Sequence, residues 1–495
     1  MRVKLIYPEI RQGFTDFHGD YAEGVASILA TLLREGHEVS FLHITQLLEK
    51  KTFIDMLSDN PSDLIAFSSM TNTFKYVRKY AAWAKSEFPT PIMCGGVHAT
   101  LSPQEVIGLP YIDYICIGEG EESMAEFCRR WDKGEDITGI EGFWINTLDG
   151  LVKSPPRPLV ENLDSLPIPA RHLFDYENLL SSKEKVAYFM ASRGCPFDCA
   201  YCANTGLRGI YPNRNKYIRF KSVRRVIDEI KTTLKHYTFI KYILFQDDIL
   251  AMRKDWFREF AELYRKEINY PFYCNIYPTM VNEEVVELLK YAGCTTVGIG
   301  IESGNMLIRE NVLNRNIPRD RIVRAFHLLR KKNIRTRSYN MVGLPFEDRS
   351  AIFDTIELNA EVRPDAIGVT IFYPYAATAL YDVCQENNML TGVELDTYYE
   401  SSILRQKTLT NDEAVFSLRY FKLFVRLVQF FNLLPLPLLL RHKMKDVLRH
   451  IICARWLPLK ILNSVSNKGY SLLRIVYVRF VRRFYSRRKK LFDPV

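Results

Sequence analysis

The sequence predicts an α/β protein with two parallel-sheet units in tandem and a basic helical region behind them. Three observations carry that reading. Short apolar runs alternate with helical-period segments, and the alternation occurs twice. Five prolines between residues 154 and 169 separate the two alternations. The charge balance then changes sign: residues 411–495 hold 18 Lys+Arg against 4 Asp+Glu, while residues 1–410 hold 49 against 53. The net charge of +10 therefore belongs to the tail and gives no argument for nucleic-acid binding by the body.

The first unit is predicted over residues 1–145. Its strands are residues 3–7, 39–43, 64–67, 91–94 and 111–117. A helix over 22–34 carries Val25, Ile28, Leu29, Leu32 and Leu33 on one face, and Gly36 follows as a stop. A second helix covers 74–87. Five strands joined this way make a doubly wound sheet, which binds ligands beyond its C-terminal strand ends. Three of those ends carry small or polar loops: Ser68-Ser69-Met70-Thr71, Gly95-Gly96-Val97-His98-Ala99-Thr100 and Gly118-Glu119-Gly120-Glu121. Glycine lets backbone approach a ligand closely, and three such loops on one edge suit a large ligand. Each loop taken alone is also an ordinary strand-to-helix turn.

Residues 146–184 read as a proline-rich linker. The second unit, residues 185–385, has strands at 186–191, 242–245, 272–276, 296–301, 336–341 and 366–372. Among its helices, 222–236 places Val223, Val226, Ile227, Ile230 and Leu234 on one face. Another, near 282–292, has Asn282 as N-cap and Gly293 as stop. Six strand–helix units are too few for an eightfold barrel and predict an open, partial one with its chemistry at the C-terminal strand ends. Residues 386–495 are the basic helical region.

Composition narrows the class. A hydrophobic fraction of 47% and a charged fraction of 25% exclude a disordered or collagen-like chain and a multi-span membrane protein. Residues 1–8 read as a strand, not a secretory signal. The run 427–440 is too short to span a bilayer and is interrupted by Pro435 and Pro437. Ten Cys in 495 residues are too sparse for a disulfide scaffold, so a reducing cytoplasm is expected, with Cys serving as metal ligands or buried apolar groups.

Three of those Cys stand together. Cys195, Cys199 and Cys202 lie in Ser192-Arg-Gly-Cys-Pro-Phe-Asp-Cys-Ala-Tyr-Cys-Ala-Asn204, just after the first barrel strand. Thiolates suit zinc or iron–sulfur clusters. A structural zinc site needs four protein ligands, and here the fourth would be distant, such as His172 or His236. A cubane held by three Cys keeps one iron open.

The CxxxCxxC loop, with Tyr201 before its last Cys, resembles the signature of radical S-adenosylmethionine (SAM) enzymes. The resemblance implies a [4Fe–4S] cluster on Cys195, Cys199 and Cys202. Its open iron would bind SAM, whose reductive cleavage gives a 5′-deoxyadenosyl radical, with Tyr201 packing beside the adenine. Asp247 and Asp248 in Phe245-Gln-Asp-Asp248 resemble the family's acidic pair after the second strand, implying contact with SAM ribose or ammonium; either could instead cap a helix. Gly298-Ile-Gly-Ile-Glu302-Ser-Gly304 resembles the fourth-strand segment, with Glu302 touching the cofactor. Gly343-Leu-Pro345 with Glu347 resembles the segment after the fifth strand.

The first unit resembles the flavodoxin-like cobalamin-binding domain often fused ahead of this barrel. That resemblance implies cobalamin contacts from Ser68, Ser69, Gly95, Gly96, His98, Gly118, Glu119 and Gly120. Corrinoid proteins with a lower histidine ligand use D-x-H-x-x-G, whereas Asp16-Phe-His18-Gly-Asp-Tyr21 has Tyr at the glycine, so His18 reads as a loop histidine. After the sixth strand, Pro374-Tyr-Ala-Ala-Thr378 lacks the glycine of the family's P-x-P-G-T-like segment. Asn275, Tyr277, Arg337, Asn340, Tyr373 and Tyr375 are rim candidates.

The resemblance implies C-methylation of an unactivated carbon of a small-molecule or lipid-like substrate. The electron would come from an external flavodoxin- or ferredoxin-type donor. Two alternatives stand beside it: an oxidative cyclase of the anaerobic magnesium-protoporphyrin monomethyl ester cyclase type, and a non-catalytic corrinoid or redox sensor. In the tail, Arg419, Lys422 and Arg426, then Arg474, Arg479, Arg482 and Arg483, and the closing Arg487-Arg-Lys-Lys490 accompany bulky apolar residues. That pattern suits peripheral contact with an anionic membrane through 411–495, or a helical region packed on the barrel with a solvated basic face. No nucleic-acid recognition motif is present.

Overall fold

A computed structural model describes residues 1–10, 18–395, 397, 399–454, 457, 459–460 and 462–463. The first sheet runs β1 (Arg2–Pro8), β2 (Glu38–Ile44), β3 (Leu64–Ser68), β4 (Ile92–Gly95), β5 (Tyr114–Cys116), β6 (Phe143–Thr147) and β7 (Gly150–Lys153). Its order is β2-β1-β3-β4-β5-β6-β7. The first five strands are parallel, and their order reverses between β1 and β3, which opens the crevice of a doubly wound sheet. Helices Glu23–Arg34 and Glu121–Lys133 pack together on one face, Lys50–Ser58 and Phe74–Glu87 on the other.

The sheet continues past residue 145, where the sequence placed its end. β6 and β7 form an antiparallel hairpin on β5. β7 is exposed along its whole length, so no apolar run marks it. The proline-rich linker is also more than a strap: Leu163, Leu166, Phe174, Tyr176 and Leu179 are buried in it.

The second unit begins at β8 (Val186–Phe189). A two-residue strand, β9 (Ser192–Arg193), pairs antiparallel with β10 (Arg219–Phe220) as a small ribbon. The barrel continues with β11 (Tyr242–Phe245), β12 (Phe272–Asn275), β13 (Cys294–Glu302), β14 (Arg335–Val342) and β15 (Ala366–Ile371). Six parallel strands in the order β15-β14-β13-β12-β11-β8 form the open barrel expected. Ser222 caps helix Val223–His236 by accepting from Arg225 N, and Asn282 caps Glu283–Ala292 by accepting from Val285 N. Gly293 ends the latter at φ +93°, a backbone state that favours glycine.

The two units share one core. Leu5, Val25 and Leu29 of the first belong to the same buried cluster as Ala187, Phe189 and Ile227 of the barrel. Charge is buried there too. Arg171 of the linker lies 3.4 Å from Glu23 and 3.5 Å from Glu229, and Lys221 bonds both at 2.9 and 2.8 Å. Burial opposes ionisation of Glu23, but Lys221 and Arg171 outweigh it and hold the carboxyl below its usual range.

Helix Asn411–Leu433 starts on a capping box formed by Thr410 and Glu413 and packs on helix Arg349–Val362 and on β15, covering that edge strand. Pro435 and Pro437 separate it from helix Leu438–Cys453. Among the described residues no helix is long and apolar enough to cross a membrane. The basic residues from Arg474 to Lys490 lie outside the described residues.

β13 shows why its glycines matter. A Cβ on Gly298 would stand 1.9 Å from Tyr273 Oη and 2.4 Å from Asn275 Oδ1, so those side chains occupy the space a residue with Cβ would need. Gly298→Ala is expected to destabilise the protein by about 1–3 kcal/mol through overpacking, measured by denaturant unfolding.

Candidate functional site

The cysteine loop leaves the barrel after β9. Gly194 sits at φ +93°, and a Cβ there would meet Tyr217 O at 2.5 Å, so the turn into Cys195 needs glycine. Arg208, on helix Ala203–Gly209, donates to Cys195 O at 3.3 Å and Pro196 O at 3.0 Å. Thr205 Oγ1 donates to Cys199 O at 3.1 Å, and Asn314 Nδ2 to Asp198 O at 2.8 Å. Ala200 N bonds Leu313 O at 2.9 Å. Phe197 stacks on Tyr277 with ring centroids 3.5 Å apart. The loop is thus fixed through its backbone while its three sulfurs stay uncommitted to disulfides.

Cys199 is buried, and Cys195 and Cys202 are half-buried. Burial pushes the Cys195 thiol up to about 12 and Cys202 up to about 11. Among the described residues no three His, Cys, Asp or Glu side chains form the ligand set of a single metal ion. His172 and His236 are both exposed, and His236 Nδ1 lies 2.8 Å from Thr232 O of its own helix. A cubane instead takes each thiolate on a separate iron.

Glu302 ends β13 at φ +63°. A Cβ on Gly300 would lie 2.4 Å from Glu302 Oε1, so Gly300 makes the room its carboxylate occupies. Burial raises the Glu302 carboxyl, partly offset by Arg315 and the Tyr201 hydroxyl. Asp248 is exposed at the rim and accepts from Asn204 Nδ2 at 2.9 Å, next to Cys202. Asp247 points elsewhere. It is buried, accepts from Ala191 N at 3.0 Å and Ser192 Oγ at 2.5 Å, and burial pushes it up to about 6. It ties β11 to the start of the cysteine loop and caps no helix.

Sequence reasoning missed Arg315. Only 4% exposed, it donates to Gly300 O at 2.8 Å, Tyr201 Oη at 3.3 Å and Cys199 Sγ at 3.4 Å, and lies 4.7 Å from the centre of the Tyr277 ring. Its partners come from separate elements, and no local motif announces them. Of the rim candidates, Asn340 is buried in a network with Ser338 and Asn359, whereas Arg337 is exposed.

The first unit's loops line a cavity of about 430 Å³. Ser68, Ser69, Gly95, Gly96, Gly118, Glu119 and Gly120 border it from one side, and Met190, Leu207, Tyr211 and Tyr217 from the other. Its inner wall is apolar, with Leu5, Val25, Ile28, Ala66 and Met93. Gly96 sits at φ +93°, where a Cβ would meet Ser69 O at 2.7 Å; on Gly118, at φ +82°, it would meet Tyr211 Oη at 2.5 Å. These glycines let the loops interlock around the space. Glu119 is held by Arg193 and Arg219; burial opposes its charge, but the two guanidiniums hold its carboxyl down to about 2. His98 does not border the cavity. Its ring packs on Phe74 at 4.0 Å, Nδ1 lies 3.3 Å from Thr71 Oγ1 and Nε2 3.4 Å from Glu105. His18 is exposed, and Asp16 of its motif lies outside the described residues.

Residues 190–358 match the Radical SAM superfamily, and residues 15–128 match the B12 binding domain. The chain belongs to the radical SAM superfamily, in the group that carries a B12-binding domain ahead of the barrel. It is an enzyme whose cofactors are a [4Fe–4S] cluster, SAM and cobalamin. It is 27% identical to an uncharacterized methyltransferase of Pyrococcus horikoshii, over 83% of this chain and 90% of that one. It is 24% identical to the anaerobic magnesium-protoporphyrin IX monomethyl ester cyclase of Rubrivivax gelatinosus, over 77% and 69%. Its fold is that of the radical SAM methyltransferase TsrM from Kitasatospora setae, with TM-score 0.64 at 17% identity over 83% of this chain and 80% of that one.

Behind the site, Glu347 is fully buried and accepts from Gly343 N at 2.8 Å and Leu344 N at 3.2 Å, leaving Oε1 without a partner. Burial pushes its carboxyl from an ordinary 4.5 up to about 8. The folded state therefore holds a proton that the unfolded chain releases. Its contribution to stability is fully present below about 4.5 and is lost as pH rises towards about 8. Glu347→Gln is expected to flatten the fall of Tm between pH 5 and 8 and to raise Tm at pH 8, read by scanning calorimetry.

Proposed function

We propose that this enzyme methylates an unactivated carbon of a small-molecule or lipid-like substrate. One observation carries the reading: the strand-end loops of the B12-binding domain and the region around the cysteine loop of the barrel border the same cavity. Methyl transfer needs a corrinoid and a radical source facing one substrate, and this arrangement supports it. When bound, the cluster with SAM supplies a 5′-deoxyadenosyl radical and the corrinoid supplies the methyl group.

The chain's own residues fit those groups. The donor set at Cys195, Cys199 and Cys202 is all thiolate, which suits iron–sulfur ligation. Tyr201, Glu302 and Asp248 border the loop and would orient SAM, and Arg315 holds Tyr201 and Gly300 in place beside Cys199. Asp247 positions the loop from behind. The apolar slot behind Ser69, Gly96 and Gly118 would accept an apolar part of a large ligand. An external flavodoxin- or ferredoxin-type protein would deliver the electron.

A second reading, oxidative cyclisation, is favoured by the similarity to the Rubrivivax cyclase. Products decide between them. After anaerobic reconstitution, deoxyadenosine with a methylated product is expected; deoxyadenosine with an oxidised or cyclised product would favour the cyclase. Cys199→Ala should remove the cluster's absorption and at least 99% of deoxyadenosine formation, measured by spectroscopy and chromatography.

The C-terminal region supports a lipid surface as partner. Leu438, Leu439 and Leu440 are 67, 70 and 43% exposed in consecutive positions, and exposed Lys443 follows, while Arg441 is held by Leu436 O and Asn432 O and Lys445 pairs with Glu357. Adjacent leucines with an exposed cation behind them suit an anionic membrane interface. The double variant Leu438→Asp/Leu439→Asp is expected to lose at least tenfold in partitioning to anionic vesicles at unchanged circular dichroism. Equal co-sedimentation of both proteins would remove the membrane from this account.

A further inference from the structure

Glu119 was expected among the cobalamin contacts, yet both its carboxylate oxygens are taken by protein donors. Oε1 accepts from Arg193 at 2.9 Å and Arg219 at 2.8 Å; Oε2 accepts from Arg219 at 2.8 Å and from Val160 N at 3.2 Å. The two arginines face each other across the β9–β10 ribbon, where Arg219 is the register partner of Arg193. Side by side and partly buried, they would repel without an anion between them. Glu121 adds a second carboxylate, accepting from Arg193 at 2.6 Å and Ser27 Oγ at 2.7 Å. Arg193 precedes Cys195 by a single residue, Gly194. The loop's flanks leave little slack: Gly118 abuts Tyr211, and a Cβ on Gly120 would stand 3.0 Å from Ile28 Cδ1.

We propose that Glu119 is a positioning residue. It clasps the ribbon that leads into the cysteine loop to a corrinoid-side loop of the B12-binding domain, and so sets the separation of the two cofactor sites. The proposal rests on the methyl-transfer reading for its consequence but not for its geometry. A methyl group must be handed to a carbon from which hydrogen has just been removed, so the two sites must be held in register. A fork of Glu119 on Arg219, shared with Arg193, fixes distance and direction together, which a single ion pair does not.

The test uses the full chain in two states. Without cofactors, hydrogen exchange is followed by mass spectrometry in wild type, Glu119→Gln and Glu119→Asp. Amides of residues 192–202 are expected to exchange at least tenfold faster in Glu119→Gln, with helix Glu283–Ala292 unchanged and Glu119→Asp restoring part of the protection. Unchanged protection of residues 192–202 in Glu119→Gln would overturn the clasp. After loading, cob(II)alamin and the reduced cluster are both paramagnetic, and their mutual broadening in electron paramagnetic resonance reports their separation. At equal iron and cobalt content, Glu119→Gln is expected to alter that broadening and to lower methylated product per deoxyadenosine at least tenfold. Identical spectra and an identical ratio would also overturn the proposal. A wild-type protein that takes up no cobalt would defeat the methyl-transfer reading, while hydrogen exchange would still decide the clasp.

Discussion

The two units of this molecule share one core, and the seam between them holds together only because the ions buried in it are paired. Parallel sheets place their ligand sites at the C-terminal strand ends, so two such sheets sharing one ligand space must bring polar loops against each other. Here the seam contains Glu23, Glu229, Arg171 and Lys221, all nearly out of water. An ion left alone there would cost several kcal/mol, so the set holds only as a set. The guanidinium of Arg171 also lies 3.9 Å from the centre of the Tyr21 ring and 4.5 Å from that of Phe189, which joins linker, first unit and barrel at one side chain.

Most of the fold was legible because its periodicities are local. Eleven apolar runs fell where the parallel strands of the two sheets lie, and Asn282 and Gly293 bounded their helix as capping chemistry dictates. The hairpin β6–β7 was not legible, since an exposed strand such as β7 has no apolar face to reveal it. The linker misled through its prolines. They interrupt long helices and strands, but they do not forbid burial: Leu163 and Leu166 are buried between them and Phe174 just after them.

The site was legible where chemistry is concentrated in one stretch, as in the three Cys with Tyr201. It was not legible where function is made by convergence. Arg315 gathers contacts from β13, from the cysteine loop and from Tyr277, and nothing near it in sequence foretells that. Asp247 and Asp248 are neighbours with opposite fates, because successive residues after a strand point to different sides: one turns into the protein and the other towards the cysteine loop. His98 shows the same limit. A loop that borders a cavity need not aim each of its side chains into it.

The shared cavity has a consequence for how such proteins can be recombined. Its walls come from two separate stretches of chain, with Gly118 fitted against Tyr211 and Glu119 paired with Arg193 and Arg219. Exchanging one module for that of a relative would therefore transplant half a mould. A working hybrid would have to carry the matching half along with it, and sequence identity within either module alone would be a poor guide to which hybrids assemble.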